Sequence, residues 1–311
     1  MKITIIGPGG VGGYYAVKLK NSGHALNVLA RGSALRAIKA TGITLVGQNF
    51  TESAMPDVVT DNPEEIGISD LVILTVKAWQ INDLTDRISS LVGPETTVLP
   101  VQNGVETFDN MRAKYGTNVI GGLTRMVSFT EKPGRVRNLG GEVSVTIGEN
   151  NGVISPRLGE VSKAFNEAGI TCYTTSDIRK ALWEKFLIMA NMGGIGSVAR
   201  VPIGTVLSIA NTRDLLARAI NEVIEVGKAA GISLDDESRR KTWAFISSLP
   251  PNSTTSMQRD IESGKASELE FMSGSVTRLG KKYGVQTPIH DFIYACLLPS
   301  ELRARELLDS R

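Results

Sequence analysis

Lys2-Ile3-Thr4-Ile5-Ile6 runs straight into Gly7-Pro8-Gly9-Gly10-Val11-Gly12, and this junction limits what the chain can fold into more than any other stretch. An apolar strand that ends on Gly-x-Gly-x-x-Gly turns sharply and opens a helix. Gly7 permits the tight turn, Gly9 lets bare backbone approach a pyrophosphate, and Gly12 lets the following helix, about residues 11–21, sit against the strand. The N–H groups at that helix start form an anion site. A second apolar stretch at residues 25–30 completes the strand–helix–strand context that the motif needs. A dinucleotide-binding fold is therefore expected, with Gly7, Pro8, Gly9, Gly10, Val11 and Gly12 at the cofactor; the alternative is a glycine-rich surface turn.

At the end of the second strand, where a carboxylate would bind the ribose 2′-hydroxyl of NAD, the sequence reads Leu29-Ala30-Arg31-Gly32-Ser33. Arg31, with Ser33 and Arg36 behind it, suits a 2′-phosphate, so NADP(H) is favoured over NAD(H). A solvated loop arginine is the plainer reading of the same residue.

A chain of 311 residues is too long for one ordinary core and suits two domains. Its 41% hydrophobic and 21% charged residues are those of a soluble globular protein, and a net charge of +2 without a basic block gives no indication of a nucleic-acid partner. Cys172 and Cys296 lie far apart, with only His24 and His290 as nitrogen donors, so neither a disulfide framework nor a metal site is expected. A strand beginning at residue 2 leaves no room for a leader, and no apolar run reaches the roughly 18 to 20 residues of a membrane span. A cytoplasmic protein is the expectation.

Up to about residue 149, apolar runs at 70–76, 97–101, 118–123 and 143–147 alternate with helical stretches, which indicates a parallel, doubly wound sheet. Residues 135–147, with Gly140-Gly141 between, read as a closing antiparallel hairpin. A helix over 155–168 and a strand over 170–173 end this part. Beyond Ser176-Asp177 the pattern turns helical, over 178–192, 211–230, 234–248, 255–263, 267–283 and 288–311. The glycines of Asn191-Met192-Gly193-Gly194-Ile195-Gly196 are expected to break or loosen the first of these helices. The fold class is α/β: an N-terminal Rossmann-type doubly wound sheet over 1–175, then an all-helical C-terminal domain over 176–311. The stripe Leu269, Met272, Val276 and Leu279 fits either a core or a subunit contact, which leaves a homodimer open.

Ligands in open α/β sheets bind beyond the carboxyl ends of the strands, which singles out Lys77 after Leu71–Val76 and Asn103-Gly104 after Val98–Gln102. Lys77 reads as a contact for an anionic ligand or as a solvated strand-end lysine. Asn103 reads as an orienting amide or as part of a turn. Lys185 stands among Leu182, Trp183, Phe186 and Leu187; burial would make it a proton donor near neutral pH, and snorkelling is the alternative. Glu184 is expected to solvate that helix face. Glu268 and Glu270, between apolar positions, could face a ligand or solvent.

Together, Gly7-x-Gly9-x-x-Gly12, Arg31, Thr75-Val76-Lys77-Ala78-Trp79-Gln80, Gln102-Asn103-Gly104, Leu182-Trp183-x-Lys185 and Ser256-Met257-Gln258-x-Asp260-Ile261 leading to Glu268-Leu269-Glu270 resemble the ketopantoate reductases (2-dehydropantoate 2-reductases). The resemblance runs from residue 1 to beyond 288. It implies Lys185 as general acid, Glu268 as the carboxylate that positions the lysine and the substrate hydroxyl, and Ser256 and Asn103 as substrate contacts. It also implies Lys77, Gln80 and Asn103 toward the cofactor, with Arg31 on the 2′-phosphate of NADP(H). The family's asparagines one and two turns after the lysine are replaced here by Met189 and Gly193; Asn191 points elsewhere on a regular helix. Asn252, one place before the family's asparagine, is a further substrate candidate.

The implied reaction is NADPH-dependent reduction of a small-molecule 2-oxo acid, 2-dehydropantoate to pantoate in pantothenate synthesis. With fewer amides for the diol, another branched or aromatic 2-oxo acid is the alternative. A non-catalytic NADP(H)-binding sensor on the same scaffold has no need of a proton donor, so the presence of both Lys185 and Glu268 favours an enzyme.

Overall fold

A computed structural model describes residues 1–307, and the chain within it divides into two compact units, 1–102 with 107–178 and 103–106 with 179–307. The first unit contains β1 (Lys2–Ile6), α1 (Gly10–Asn21), β2 (Ala25–Leu29), α2 (Gly32–Thr41), β3 (Ile43–Val46), β4 (Thr51–Ala54), β5 (Val58–Thr60), β6 (Leu71–Leu74), α3 (Ile81–Thr85) and β7 (Thr97–Pro100). It continues through α4 (Glu106–Tyr115, its first residue counted with the second unit), β8 (Gly121–Arg125), β9 (Ser128–Lys132), β10 (Arg135–Asn138), β11 (Ser144–Gly148), α5 (Pro156–Glu167) and β12 (Thr171–Thr174). Strands β5-β2-β1-β6-β7 form a wholly parallel sheet. Its central strands are buried apolar runs, as a sheet covered on both faces requires. A bridge between Val98 and Val119 leads on to a further sheet, β12-β11-β8.

The remaining strands form a separate sheet, β4-β3-β10-β9, which packs on α1. A Cβ on Gly10 would lie 2.4 Å from the Ser128 carbonyl oxygen, and one on Gly13 would lie 2.5 Å from Val136. This sheet corrects the expected closing hairpin, because Arg135–Asn138 and Ser144–Gly148 belong to different sheets. β10 pairs instead with β9 around Gly134, and Gly140 and Gly141, both at positive φ, swing the chain away. The Asn138 side chain accepts the Gly140 N–H at 2.9 Å and locks the departure.

The second unit is helical: α6 (Ile178–Ala199, its first residue counted with the first unit), α7 (Ile203–Ser208), α8 (Ala210–Ala229), α9 (Asp236–Ser248), α10 (Ser256–Glu262), α11 (Ser273–Tyr283) and α12 (Pro288–Ala304). Its core includes Trp183, Phe186, Leu187, Ile220, Val223 and Ile293. α6 runs unbroken for 22 residues, against the expected glycine break. Each helical glycine costs about 1 kcal/mol against alanine, but here the bare positions admit close neighbours. A Cβ on Gly193 would lie 2.9 Å from Met257 Cε, on Gly194 3.1 Å from Ile293 Cγ2, and on Gly196 2.5 Å from Gln258 Oε1.

The expected helix over 267–283 is also corrected. Ser267 and Glu268 precede a single 3₁₀ turn, Leu269–Phe271, and α11 starts only at Ser273. Glu301 accepts the Ser267 N–H at 3.0 Å and its hydroxyl at 2.5 Å, which draws the backbone off a helical path. Leu269, Met272 and Val276 lie in the helical core with Leu279 packed against it, so the stripe is core. α12 ends at Ala304, short of the expected end; 308–311 lie outside the described residues. Among the described residues no helix is long and apolar enough to cross a membrane.

Candidate active site

In the parallel-sheet unit the glycines divide their labour by what surrounds them. Gly7, at φ +87°, turns the chain where a Cβ would meet Val76 Cγ1 at 2.5 Å, and at Gly12 one would meet Thr75 Oγ1 at 2.3 Å. These two close the strand–helix contact. Gly9 differs: a Cβ there would find only Thr130 Oγ1, at 4.0 Å, so the loop is open at this point. α1 begins without a side-chain cap and without an acidic residue in its first turn, which leaves its orphan N–H groups bare. Pro8, Gly10 and Val11 complete the loop, all half-buried. Bare donors, no carboxylate and open space at Gly9 fit a pyrophosphate.

Arg31 stands at the carboxyl end of β2, fully outside the core, and precedes the first residue of α2. Ser33 and Arg36 are exposed beside it in sequence. Lys77 follows β6 by three residues and is half-buried, with its ammonium 5.7 Å from the centre of the Trp79 ring. The Gln80 side-chain oxygen accepts the Lys77 N–H at 3.2 Å, so this candidate shapes the turn that presents Lys77. Sequence reasoning passed over the side chain of Gln102. Its amide nitrogen donates to the carbonyls of Leu74 at 2.7 Å and Val76 at 3.1 Å and stitches two strand ends together. Its oxygen is buried without a partner among the described residues.

In the helical unit the structure brings together two of the expected residues. Asn103 donates its amide to Glu268 at 2.9 Å, and Glu268 is only 4% exposed. Glu268 caps the 3₁₀ turn behind Ser267, whose carbonyl accepts from Arg305 at 2.7 Å. Arg305 also pairs with Glu301, so the segment carrying Glu268 is clamped from both sides. Asn103 itself is followed by Gly104 at φ +98°, where a Cβ would stand 2.9 Å from the Phe271 carbonyl oxygen. The Asn-Gly pair is therefore a packed surface as well as a turn.

Lys185 sits on α6 between buried Trp183 and Phe186, half-buried itself. Glu184 is not left to solvent: it accepts the Ser238 hydroxyl at 3.1 Å. One turn beyond Lys185, Met189 packs against the helical core, and at Gly193 the space is taken by Met257 and by Thr255 Oγ1, 3.0 Å from a Cβ. Asn191 is wholly buried and turned to His290, with Oδ1 3.2 Å from Nε2, while its amide donates to the Leu187 carbonyl at 2.7 Å. Ser256 opens α10, half-buried behind its cap Thr255, and Asn252 is exposed in the preceding turn. Neither is hydrogen-bonded to the Asn103–Glu268 pair among the described residues.

Comparison with known proteins finds matches over both units. The model of the family described as ketopantoate reductase PanE/ApbA matches residues 3–152, and that of its C-terminal domain matches residues 177–301. The chain is 29% identical over 312 aligned positions to a 2-dehydropantoate 2-reductase of Aquifex aeolicus, covering 97% of each. Among solved structures it is similar to a PanE/ApbA family ketopantoate reductase from Ralstonia eutropha, with TM-score 0.89, 25% identity and 98% of this chain against 100% of that one. A D-mandelate dehydrogenase solved with NADH and anilino(oxo)acetate shares the fold, with TM-score 0.89, 24% identity and coverage of 98% and 99%. The glycine turn, the helical unit and the two matching models together place this chain in the ketopantoate reductase family, as a nicotinamide-dependent oxidoreductase acting on a CH–OH group.

Proposed function

We propose that the chain reduces a small 2-oxo acid to the 2-hydroxy acid with NADPH, with 2-dehydropantoate as the leading substrate. The observation that carries this reading is the Asn103–Glu268 pair: a buried carboxylate held by an amide, in the helical unit that also bears the half-buried Lys185. The open loop at Gly9 and the bare start of α1 would hold the cofactor pyrophosphate, Arg31 its 2′-phosphate, and Lys77 and Gln80 its nicotinamide end. The chemistry such a cofactor supplies when bound is a hydride for the carbonyl carbon. Lys185 stabilises the negative charge that develops on the carbonyl oxygen and delivers the proton that completes the alcohol. Glu268 orients the lysine and a substrate hydroxyl, and Asn103 keeps that carboxylate in place. Ser256, with Asn252 before it, supplies further polar contacts to the acid. We place the reaction in the cytoplasm, in keeping with two unpaired cysteines, Cys172 and Cys296.

A second reading has its own support. Met189 is apolar, the space at Gly193 is filled by Met257, and Asn191 is engaged in the core, so the helix face beyond Lys185 offers no free amide to a diol. This favours another branched or aromatic 2-oxo acid. The deciding experiment follows NADPH and NADH oxidation with 2-dehydropantoate, 2-oxoisovalerate and phenylpyruvate side by side. Turnover of at least one acid with NADPH is the expected result, and no turnover with any of them would overturn the proposal.

A further inference from the structure

Four residues, Asn103–Glu106, belong to the helical unit although the chain on both sides of them belongs to the parallel-sheet unit. Such a segment holds its place only through fastenings remote in sequence. Asn103 is bonded to Glu268, Gly104 lies under the Phe271 carbonyl, and Val105 is buried in the helical core. The fourth fastening is ionic. Glu106 Oε2 accepts from Arg278 Nη2 at 2.6 Å and from the Ser275 hydroxyl. The other arm of Arg278 pairs with Glu270, and Nη2 reaches the Glu270 carbonyl at 3.1 Å. Tyr294 donates its hydroxyl to Glu270, and burial together with that carboxylate pushes the phenol up to about 12.

We propose that Arg278 is a positioning residue for the reaction above: by bridging Glu106 and Glu270 it holds the 103–106 segment and thereby sets Asn103 on Glu268. This rests on the functional reading only for its kinetic consequence. Two carboxylates share one guanidinium, whose planar fork serves both at once, which a lysine ammonium on a single stem does not reproduce. Remove it, and Glu106 keeps only a serine while Glu270 carries an uncompensated charge beside the Tyr294 oxygen. The bridge also has a built-in clearance. Gly274 is an ordinary helical residue, where alanine would be the better helix former, yet a Cβ there would lie 3.0 Å from Tyr294 Cε2, 3.2 Å from Arg278 Nη1 and 3.3 Å from Glu270 Cδ. The ion pairs are partly exposed, and such pairs contribute little to stability. Their effect falls on placement, where an error of about 1 Å costs up to roughly 10²-fold in rate.

The test compares the full-length protein with Arg278→Ala, Arg278→Lys and Gly274→Ala. Amide hydrogen exchange over residues 103–106 is expected to rise about tenfold in Arg278→Ala, with kcat for the acid that the wild type reduces falling about tenfold or more. NADPH affinity and melting temperature are expected to stay near the wild-type values. Arg278→Lys should recover part of kcat, and Gly274→Ala, which removes no charge, should shift exchange and kcat in the same direction as Arg278→Ala. Unchanged exchange in Arg278→Ala would overturn the proposal, and so would faster exchange with unchanged kcat. If the wild type reduces no 2-oxo acid, the functional reading fails, and the exchange result still decides whether Arg278 fastens the segment.

Discussion

His290 offers a prediction whose size follows from its surroundings. The ring is wholly buried in the helical unit, with Nε2 facing Asn191 Oδ1 at 3.2 Å and Nδ1 facing Ser273 Oγ at 3.4 Å. Burial pushes its pKa down from 6.5 to about 4, against the opposing influence of the Ala219 backbone and the Asp291 charge. The native ring thus stays neutral while the unfolded one takes up a proton as the pH falls through 6.5. Stability is lost on acidification across the window from 6.5 down to about 4, and the drop amounts to about 2.5 pH units at 1.36 kcal/mol each, or about 3 kcal/mol. His290→Gln keeps an amide that can bond within the network but cannot titrate. In a Trp79→Phe background, Trp183 and Trp243 report urea unfolding of the helical unit, measured at intervals from pH 7 to pH 4. The wild type should lose about 3 kcal/mol more than the variant over that range. Glu222 accepts the N–H groups of Ile289 and His290 at 2.8 and 3.0 Å, and burial raises its pKa. Its slope has the opposite sign and is common to both proteins, so it cancels in the difference. Parallel stability curves for the two proteins would refute the reasoning.

Four further outcomes are expected. Arg31→Ala should weaken NADPH binding by about 1.5 to 3 kcal/mol, as for a lost charged hydrogen bond, and leave NADH binding unchanged in fluorescence titration; equal losses would remove its assigned role. Lys185→Ala, shown to be folded by circular dichroism, should lower kcat by about 10²-fold with NADPH affinity retained; near wild-type turnover would pass the acid role to Lys77. Gly10→Ala drives a methyl into the Ser128 and Phe129 backbone and should cost about 1 to 3 kcal/mol in chemical denaturation, whereas Gly9→Ala, in open space, should stay within about 0.5 kcal/mol. The kcat/KM for 2-oxoisovalerate should lie within about 10²-fold of that for 2-dehydropantoate, because the face beyond Lys185 lacks free amides; a preference above about 10⁴-fold would show that Asn103, Ser256 or Asn252 serves the diol.

The glycine turn, the parallel strands and the placement of Arg31 and Lys77 at strand ends were legible because each rests on neighbours a few residues apart. The hairpin over 135–147 was misread because Gly140-Gly141 looks the same whether it joins paired strands or redirects the chain to another sheet. The glycines of α6 looked like a break for a related reason. Propensity registers their local cost, while their benefit comes from Met257, Gln258 and Ile293, supplied by other helices. At the site, Asn103 and Glu268 could each be proposed alone, but their bond spans 165 residues and the Arg278–Glu106 bridge spans 172. No periodicity reports pairs at that range. On the expected continuous helix Glu270 and Arg278 would stand about 12 Å apart, and they meet only because the 3₁₀ turn ends before α11 begins at Ser273.

The membership of residues 103–106 in the helical unit also sets an order of events during synthesis. When the parallel-sheet unit has emerged and can collapse, this loop has none of its partners, since Glu268, Phe271 and Ser275 are still untranslated. Those partners lie about 100 residues beyond the end of that unit, so at about 5 to 20 residues per second the wait is on the order of five to twenty seconds. Through that interval Asn103 and Glu106 are an unfinished edge on an otherwise folded unit, and the carboxylate–amide pair is among the last contacts to close. The nascent chain can therefore gain its glycine turn well before it gains its chemistry, and a fragment ending near residue 178 would keep that turn while Glu106 still lacked Arg278.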